Sequence, residues 1–415
     1  MFKISLVFVW LSVLLSSATA VRPWLSFPLS DWAFLAGILV SLPKITVLCS
    51  SGVQLTRIFY FLGAALIVLG AVISGWDHAP PEQILLYTIK IAYTFVIYIP
   101  VFNWASVNKN FFDKLRHAWI YSGAIAGVSA TLQKYNNGSL LGIEAVYGRM
   151  TGLTEHPNEL GMVTALIMPL IVHKLVAERG LWMLLCNICL LAMILAGLLL
   201  SQSITALIGG LVGTTGGLVV TCWRSHSRIR AIWAGFIIII CLAPLGYLMQ
   251  DTFGEFWERI IFTKRGDQQT TLDSRILGFY EIALKSGGIN LRGSGVNAVV
   301  DSEGNSVHNM FLRVGVEVGL CGLIGILIIT GSILRIAIQK IRLARPDDIG
   351  AKVSVLWSYV VFLVGGQASP VLLQRNLWLP AMLILARDTK AEESSKPLSR
   401  SSQGGWSPTL ANARR

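Results

Sequence analysis

The sequence has few charged residues for its length, and this shortage decides its broad class. Of the 415 residues, 13% are charged and 54% are hydrophobic, and the mean hydropathy is +0.63. Soluble domains carry roughly 25% charged residues. The shortage therefore excludes a soluble core with a single anchor and predicts a polytopic membrane protein.

Acidic residues are scarcer than basic ones. The chain has 22 Asp and Glu against 34 Lys and Arg, which gives a net charge of +12 at pH 7. A positive balance alone would also suit a nucleic-acid-binding protein. Here, however, the basic residues lie in short loops between apolar runs, which is the positive-inside pattern of membrane proteins. No basic stripe is interleaved with aromatic residues in a soluble segment, so we expect no nucleic-acid partner.

Cysteine is scarce too, and all six cysteines lie in or beside apolar runs. Cys186 and Cys189 form a C-x-x-C pattern, but inside a membrane-like stretch without a flanking histidine or carboxylate. We interpret the cysteines as small apolar side chains. The sequence therefore predicts no disulfide framework, and no metal or redox site at the C-x-x-C pattern.

Apolar runs of spanning length recur along the chain and predict about twelve transmembrane helices of about 20 residues each. The predicted spans are 4–20, 31–49, 57–75, 84–102, 117–134, 158–175, 181–200, 203–221, 231–249, 308–334, 352–369 and 374–387. The predicted fold is an all-α polytopic membrane bundle over residues 1–390, followed by a disordered cytoplasmic tail over 391–415. Residues 1–20 also resemble a signal peptide, so cleavage and retention as a first helix both stay open.

Orientation follows from Lys and Arg, which concentrate in one set of alternate loops that is therefore predicted to be cytoplasmic. The one large polar loop, residues 250–307, falls on the opposite, outer side. By the same parity, four helices enter the membrane from that outer side. They begin near Asn158, Ser203, His308 and Gln374.

The first candidate motif is GRMTGLTEHPNELG, at one of these outer helix starts. Pro157 is predicted to lie in the first helical turn, where proline is tolerated. Thr154 or His156 then caps the helix, with Glu159 near its third position. A helix start offers free N–H groups and a partial positive charge, which suit a phosphate. Capping chemistry beside an ordinary loop arginine, Arg149, is the alternative, and both interpretations stay open.

A second feature is a group of basic residues on the predicted outer side, against the positive-inside bias. Its members are Arg259, Lys264, Arg265, Arg275 and Arg292. Arginine binds phosphate through two parallel hydrogen bonds. An anionic substrate and a lipid-headgroup surface both account for this group.

The third motif is SVHNMFLRVGVEVGLCG, where the large loop meets an apolar helix. Ser306 is predicted to cap this helix, with His308 and Asn309 in its first turn. Histidine is the usual general base near neutral pH, and a histidine at headgroup level without a role is the alternative. Arg313 and Glu317 have i, i+4 spacing and are predicted to form a buried pair that holds the helix.

The order of these motifs, and their predicted location on one side of the membrane, resemble those of the O-antigen ligase and polymerase family of bacterial membrane glycosyltransferases. The resemblance is carried by R-x-x-G-x-x-x-H-P-N-x-L-G at 149–161, by S-R and G-x-G in the outer loop, and by H-N-x-x-L-x-x-x-x-E-x-G at 308–319. It implies a mostly helical fold of the glycosyltransferase C class.

The resemblance implies a donor glycan on undecaprenyl pyrophosphate at the periplasmic face of the inner membrane, and transfer without a metal, a nucleotide or another cofactor. The implied acceptor is a lipid A core or another glycan, and other polysaccharide assembly proteins are candidate partners. His308 becomes the base that activates the acceptor hydroxyl. Arg149 and Arg275 become pyrophosphate ligands, with Arg265 as a third ligand from a looser match.

Supporting roles are implied for four further motif residues. They are His156, Asn158, Asn309 and Glu317. The chain departs from the family after Ser203, where Ile204 stands in place of an arginine. Arg375 is the candidate to compensate, and the completeness of the anion site stays open.

The motifs do not separate a ligase from a polymerase, because both share them. A secondary transporter of about twelve helices is the alternative from another class. The only residues that suggest a transporter are Lys90, Arg313 and Glu317. The sequence shows no convincing internal repeat, which many transporters have. A purely structural assembly protein accounts for the helices but not for the outer arginines.

Overall fold

The computed structural model describes residues 2–22, 27–48, 55–75, 81–98, 109–224, 228–248, 288–295, 309–367 and 374–385. These residues are mostly α-helical. The α-helices are α1 Phe2–Leu14, α2 Leu29–Leu48, α3 Leu55–Gly75, α4 Pro81–Ala92, α5 Lys109–Tyr135, α6 Pro157–Ala177, α7 Leu181–Leu200, α8 Ile204–Arg224, α9 Arg228–Leu248, α10 Met310–Glu317, α11 Gly319–Arg342, α12 Pro346–Gly366 and α13 Leu379–Leu385. The remaining elements are a π-helix, Tyr93–Tyr98, a 3-10 helix, Arg375–Trp378, and strands β1 Ser139–Leu140 and β2 Ile143–Glu144.

This architecture confirms the all-α class. In the described part, five helical segments are long and apolar enough to cross a membrane, judged by length and composition. They are Pro157–Ala177, Leu181–Leu200, Ile204–Thr221, Gly319–Arg342 and Asp348–Gly366. The predicted total of about twelve spans stays a prediction. The tail 391–415 and most of the loop 250–307 lie outside the described residues.

Helix α6 is the centre of the bundle. Nearly all of its residues are buried, and it packs against α5, α7, α8 and α12. The surrounding helices expose large apolar side chains outward, including Trp182 on α7 (77% exposed), Leu211 on α8 (69%) and Ile232 on α9 (69%). An apolar outer surface of this kind is stable against lipid and not against water.

Glycine allows several helices to approach each other closely. A Cβ on Gly63 of α3 would lie 2.6 Å from the carbonyl oxygen of Gly325 on α11. Gly127 of α5 and Gly197 of α7 make a similar contact, and a Cβ on Gly127 would collide with the carbonyl group of Met193. Small residues with this role are typical of helix packing in membranes, where van der Waals contact drives association.

A two-stranded antiparallel hairpin connects α5 to the segment before α6, and the sequence analysis did not predict it. Its turn residues, Leu141 (φ 52°) and Gly142 (φ 78°), both have positive φ, as a type I′ turn requires. The buried side chain of Gln133 fixes the chain beyond the hairpin. Its Oε1 accepts hydrogen bonds from the backbone N–H groups of Thr151 and Gly152, both at 2.8 Å.

We predict that Gly127→Ala lowers the apparent Tm of the purified protein. Overpacking of this kind costs about 1–3 kcal/mol, because the new methyl group meets the backbone of α7. The matched control is Gly331→Ala in α11, where a Cβ would meet nothing within 4 Å. There alanine should be neutral or stabilising by up to about 1 kcal/mol through helix propensity. Equal Tm values for the two variants would contradict the close α5–α7 contact.

Candidate functional site

The helix starts that carry the predicted motifs lie at one end of the bundle. Helices α6 and α12 are antiparallel, because a Cβ on Gly350 would meet His173 near the end of α6, and a Cβ on Gly365 would meet Met162 near its start. The start of α10 joins the end of α12 through Asn309 Nδ2, which donates to Gln367 Oε1 at 2.9 Å. We call this end, where α6, α8 and α10 begin and α12 ends, the polar end.

The start of α6 is capped by one of the two residues predicted for that role. His156 is the N-cap residue, its Nδ1 accepts a hydrogen bond from the backbone N–H of Asn158 at 3.1 Å, and Pro157 follows as the first helical residue. Thr154, the alternative cap, instead donates to the carbonyl of Thr151 at 2.7 Å. Because Nδ1 is an acceptor here, the proton of a neutral His156 imidazole sits on Nε2.

Arg149 is held between two elements of the polar end. Its Nε donates to the carbonyl oxygen of Ser201 at 2.9 Å, and its Nη2 donates to Asn158 Oδ1 at 2.5 Å. The link between α7 and α8 also packs closely on α6, since a Cβ on Gly161 would lie 2.9 Å from Ser203 Cβ. Arg149 therefore has a fixed orientation beside the start of α8 at Ile204.

Glu159, the third residue of α6, is a buried carboxylate that joins distant parts of the chain. It accepts hydrogen bonds from Thr19 Oγ1 at 2.9 Å, Asn376 Nδ2 at 3.0 Å and the backbone N–H of Glu155 at 3.3 Å. Burying a charge is costly unless it is hydrogen-bonded or paired. These three donors meet that requirement and fix the segments after α1 and before α13 against α6.

Arg375 is engaged by a carboxylate of the protein itself. Its Nε donates to Asp31 Oδ1 at 3.2 Å, and its Nη2 pairs with Asp31 Oδ2. The side chains are 11% and 5% exposed, and the guanidinium lies 4.9 Å from the Tyr93 ring centroid and 5.7 Å from that of Phe27. The predicted role of Arg375, compensation for the arginine missing at Ile204, stays a prediction. A phosphate would have to compete with Asp31 for the guanidinium.

A cavity of about 350 Å³ opens beside these groups at the polar end. Side chains from the α1–α2 link with the first turn of α2, from α4, from the start of α6 and from the 3-10 helix with the residue before it line the cavity. They are Thr19, Arg22, Phe27, Pro28, Ser30, Asp31, Leu86, Lys90, Glu155, Glu159, Gln374, Arg375 and Asn376. No local pattern in the sequence indicates this cavity, because its walls come from four segments far apart in the chain.

The third motif begins differently from the prediction. Helix α10 starts at Met310, and Asn309 is its N-cap, whose Oδ1 accepts from the backbone N–H of Leu312 at 3.0 Å. The prediction that Ser306 caps the helix is therefore wrong. Asparagine is as good a cap as serine, so residue type alone did not select between them.

The predicted pair between Arg313 and Glu317 forms, with Nε to Oε1 at 3.0 Å. Glu317 is fully buried, and its Oε2 also accepts a hydrogen bond from Tyr87 Oη of α4 at 3.1 Å. This second donor compensates the buried carboxylate further. Glu317 thus joins α10 to α4 through Tyr87, while its pair with Arg313 lies along α10 itself.

The predicted single helix over 308–334 is wrong at one point, because it breaks after Glu317. Gly319 has φ of +83°, a backbone conformation that glycine adopts without steric cost. The turn at residues 288–295 packs into the break: Ser294 N–H donates to Val316 O at 2.8 Å, and Leu320 N–H donates to Asn290 O at 2.9 Å. An apolar sequence pattern does not reveal such a break.

Three predicted site residues, His308, Arg265 and Arg275, lie outside the described residues. Within the described ranges, no group of three or more His, Cys, Asp and Glu side chains is arranged to hold a metal ion. The fold and site of the described part define an all-α protein with several helices able to cross a membrane and a charged cavity at one end. No protein-family model matches the chain, and no curated protein matches it significantly.

We predict that Asp31→Leu destabilises the protein by ~3–5 kcal/mol, because it leaves the Arg375 guanidinium buried and unpaired. The double variant Asp31→Leu with Arg375→Met should regain most of this loss, since it removes both charges. Thermal unfolding of the four proteins of this cycle measures the coupling.

The matched control is the exposed pair of Arg345 and Asp348, whose side chains are 64% and 40% exposed. Arg345→Met should cost under about 1 kcal/mol. A double variant no more stable than Asp31→Leu alone would show that the two side chains are not energetically coupled.

Proposed function

We propose that this chain is a membrane glycosyltransferase of the O-antigen ligase and polymerase type, which transfers a glycan from undecaprenyl pyrophosphate to a sugar hydroxyl. One observation carries the proposal. The motif segment that starts α6, with Arg149 and Asn158, and the segment that starts α10 at Asn309 lie at the same end of the bundle. That end also holds the charged cavity. His308 directly precedes Asn309 in the chain.

The finer topology belongs to the proposal. About twelve helices span the bacterial inner membrane, the loop 250–307 lies on the periplasmic side, and the polar end faces the periplasm. The positive-inside distribution of Lys and Arg supports this orientation. Lipid-linked glycan and acceptor would then meet at the periplasmic membrane surface.

The proposed chemistry needs two kinds of group. As the glycosidic bond breaks, negative charge develops on a phosphate oxygen of the leaving lipid pyrophosphate, and fixed cationic donors stabilise it. Arg149 has the required fixed orientation, and Arg275 and Arg265 would add to it from the loop. His308 would take the proton of the acceptor hydroxyl.

The motif residues His156, Asn158 and Asn309 would support catalysis by holding other groups in place. Asn158 orients the Arg149 guanidinium, and His156 caps the helix that carries Asn158. Asn309 caps α10 directly after the proposed base. Glu317 supports the same helix through Arg313 and Tyr87.

Transfer to a lipid A core, as a ligase, is the preferred form of the proposal, and polymerisation of O-antigen or exopolysaccharide repeat units is the alternative. A deletion strain separates the two. Loss of all polymer from the core, with lipid-linked polymer accumulating, indicates a ligase. A single repeat unit still attached to the core indicates a polymerase.

A secondary transporter is a second candidate, and one observation favours it. Asp31, Lys90 and Glu159 line a cavity within a helical bundle, and ionisable groups inside a membrane often mark a solute or proton path. Solute uptake by vesicles containing this protein, without any lipid-linked sugar, would support transport.

We predict that His308→Ala reduces glycan transfer about 10²-fold or more, because the acceptor hydroxyl loses its general base. Transfer is measured as surface polymer in a deletion strain that carries the variant, with membrane insertion checked by immunoblot. His226→Ala, at a position between α8 and α9 in the chain, is the matched control and should transfer normally. Normal transfer by inserted His308→Ala protein would remove this histidine from the mechanism.

A further inference from the structure

The cavity at the polar end has charged walls whose signs balance. Arg22, Lys90 and Arg375 contribute three positive charges, and Asp31, Glu155 and Glu159 contribute three negative ones. A pocket that selects a polyanion would have an excess of cationic donors. The balance instead suits an uncharged ligand with many hydrogen-bonding groups.

Most of these charged groups are already committed to each other. Arg375 pairs with Asp31, and Arg22 pairs with Glu155. Glu159 accepts its three hydrogen bonds from neutral donors. These groups therefore form a fixed polar wall, which is the pre-formed kind of surface that small-molecule sites use.

Two lining side chains remain uncommitted. Among the residues that the structure describes, neither the Lys90 ammonium nor the Gln374 side-chain amide has a hydrogen-bonding or ion-pair partner. The ammonium offers three donors, and the amide offers two donors and an acceptor. Together they could satisfy neighbouring hydroxyl groups, each of which both donates and accepts.

Helix α4 connects this cavity to the helix that follows His308. Tyr87 of α4 donates to Glu317 of α10, and Lys90 lies one turn further along α4. Directly after Ala92 the helix widens into the π-helix Tyr93–Tyr98, an uncommon element that is frequent at functional sites. Its first residue, Tyr93, packs its ring against Arg375 in the cavity wall.

We propose that this cavity binds one uncharged sugar residue of the acceptor, with Lys90 and Gln374 as its adjustable hydrogen-bonding partners. The proposal rests on the proposed function for the identity of the ligand as acceptor. The volume of about 350 Å³ lies near the lower end of the range of ~300–1,000 Å³ for small-molecule sites. It suits a single small unit, and Phe27 supplies an apolar patch for a sugar face.

The test measures binding without turnover. The purified full chain in lipid nanodiscs is mixed with a panel of free hexoses, N-acetylhexosamines and heptoses, and saturation-transfer NMR reports which sugars bind. Lys90→Met should lower the affinity for the sugar about tenfold or more, because a sugar hydroxyl loses a charged hydrogen-bond donor. Lys90→Gln keeps an amide donor, so its sugar affinity should fall less than that of Lys90→Met. Lys134→Met, at the end of α5 and outside the cavity lining, is the matched control and should bind like the wild type.

Inorganic pyrophosphate is the competing probe. If it displaces the sugar, and Lys90→Gln is as weak as Lys90→Met, the cavity is an anion site and the proposal is overturned. The proposal is also overturned if the wild-type protein binds no sugar of the panel, or if Lys90→Met binds the sugar as well as the wild type does. Gln374→Ala provides the same comparison if the Lys90 variants do not fold. The binding test contains no lipid-linked glycan donor, so its outcome does not depend on glycan transfer. Sugar binding by the cavity and glycan transfer by the protein can therefore be contradicted independently.

Discussion

The buried carboxylate of Glu159 is the constraint on which the polar end depends. It lies in the first turn of the central helix α6, where an uncompensated charge would be costly. Its side-chain donors come from residues 140 and 217 positions away, Thr19 and Asn376. Satisfying one carboxylate therefore brings the segment after α1 and the segment before α13 to the same helix start. The cavity, the Asp31–Arg375 pair and the fixed position of Arg149 all lie around this point.

Local chemistry made part of this site predictable. Pro157 specifies a helix start. The sequence left Thr154 and His156 as the two possible caps, and His156 is the cap that forms. Spacing of four residues predicts the Arg313–Glu317 pair. Helix positions also followed from apolar runs, because a helix in a membrane needs an apolar outer surface. The parity of those runs correctly predicted that the starts of α6 and α10 lie at one end.

Contacts between distant segments were not predictable. Asp31 and Arg375 are 344 residues apart, and no local pattern indicates that they meet. The break at Gly319 depends on a turn that packs against it, so the helix pattern of α10 and α11 alone predicts a single helix. Arg375 illustrates the consequence. Its sequence suggested a ligand for pyrophosphate, whereas the structure shows its guanidinium paired with a carboxylate. Lys90, which the sequence marked only as a possible transport residue, lines the cavity, and its ammonium has no partner within the described part of the chain.

Glycan transfer is tested most directly with purified wild-type protein in lipid vesicles. The vesicles contain undecaprenyl pyrophosphate carrying a radiolabelled glycan, together with lipid A core as the acceptor. We expect label to move to the acceptor in step with release of undecaprenyl pyrophosphate. Label that stays on the lipid donor, with the protein folded and the acceptor present, would contradict a glycan transferase of the ligase type.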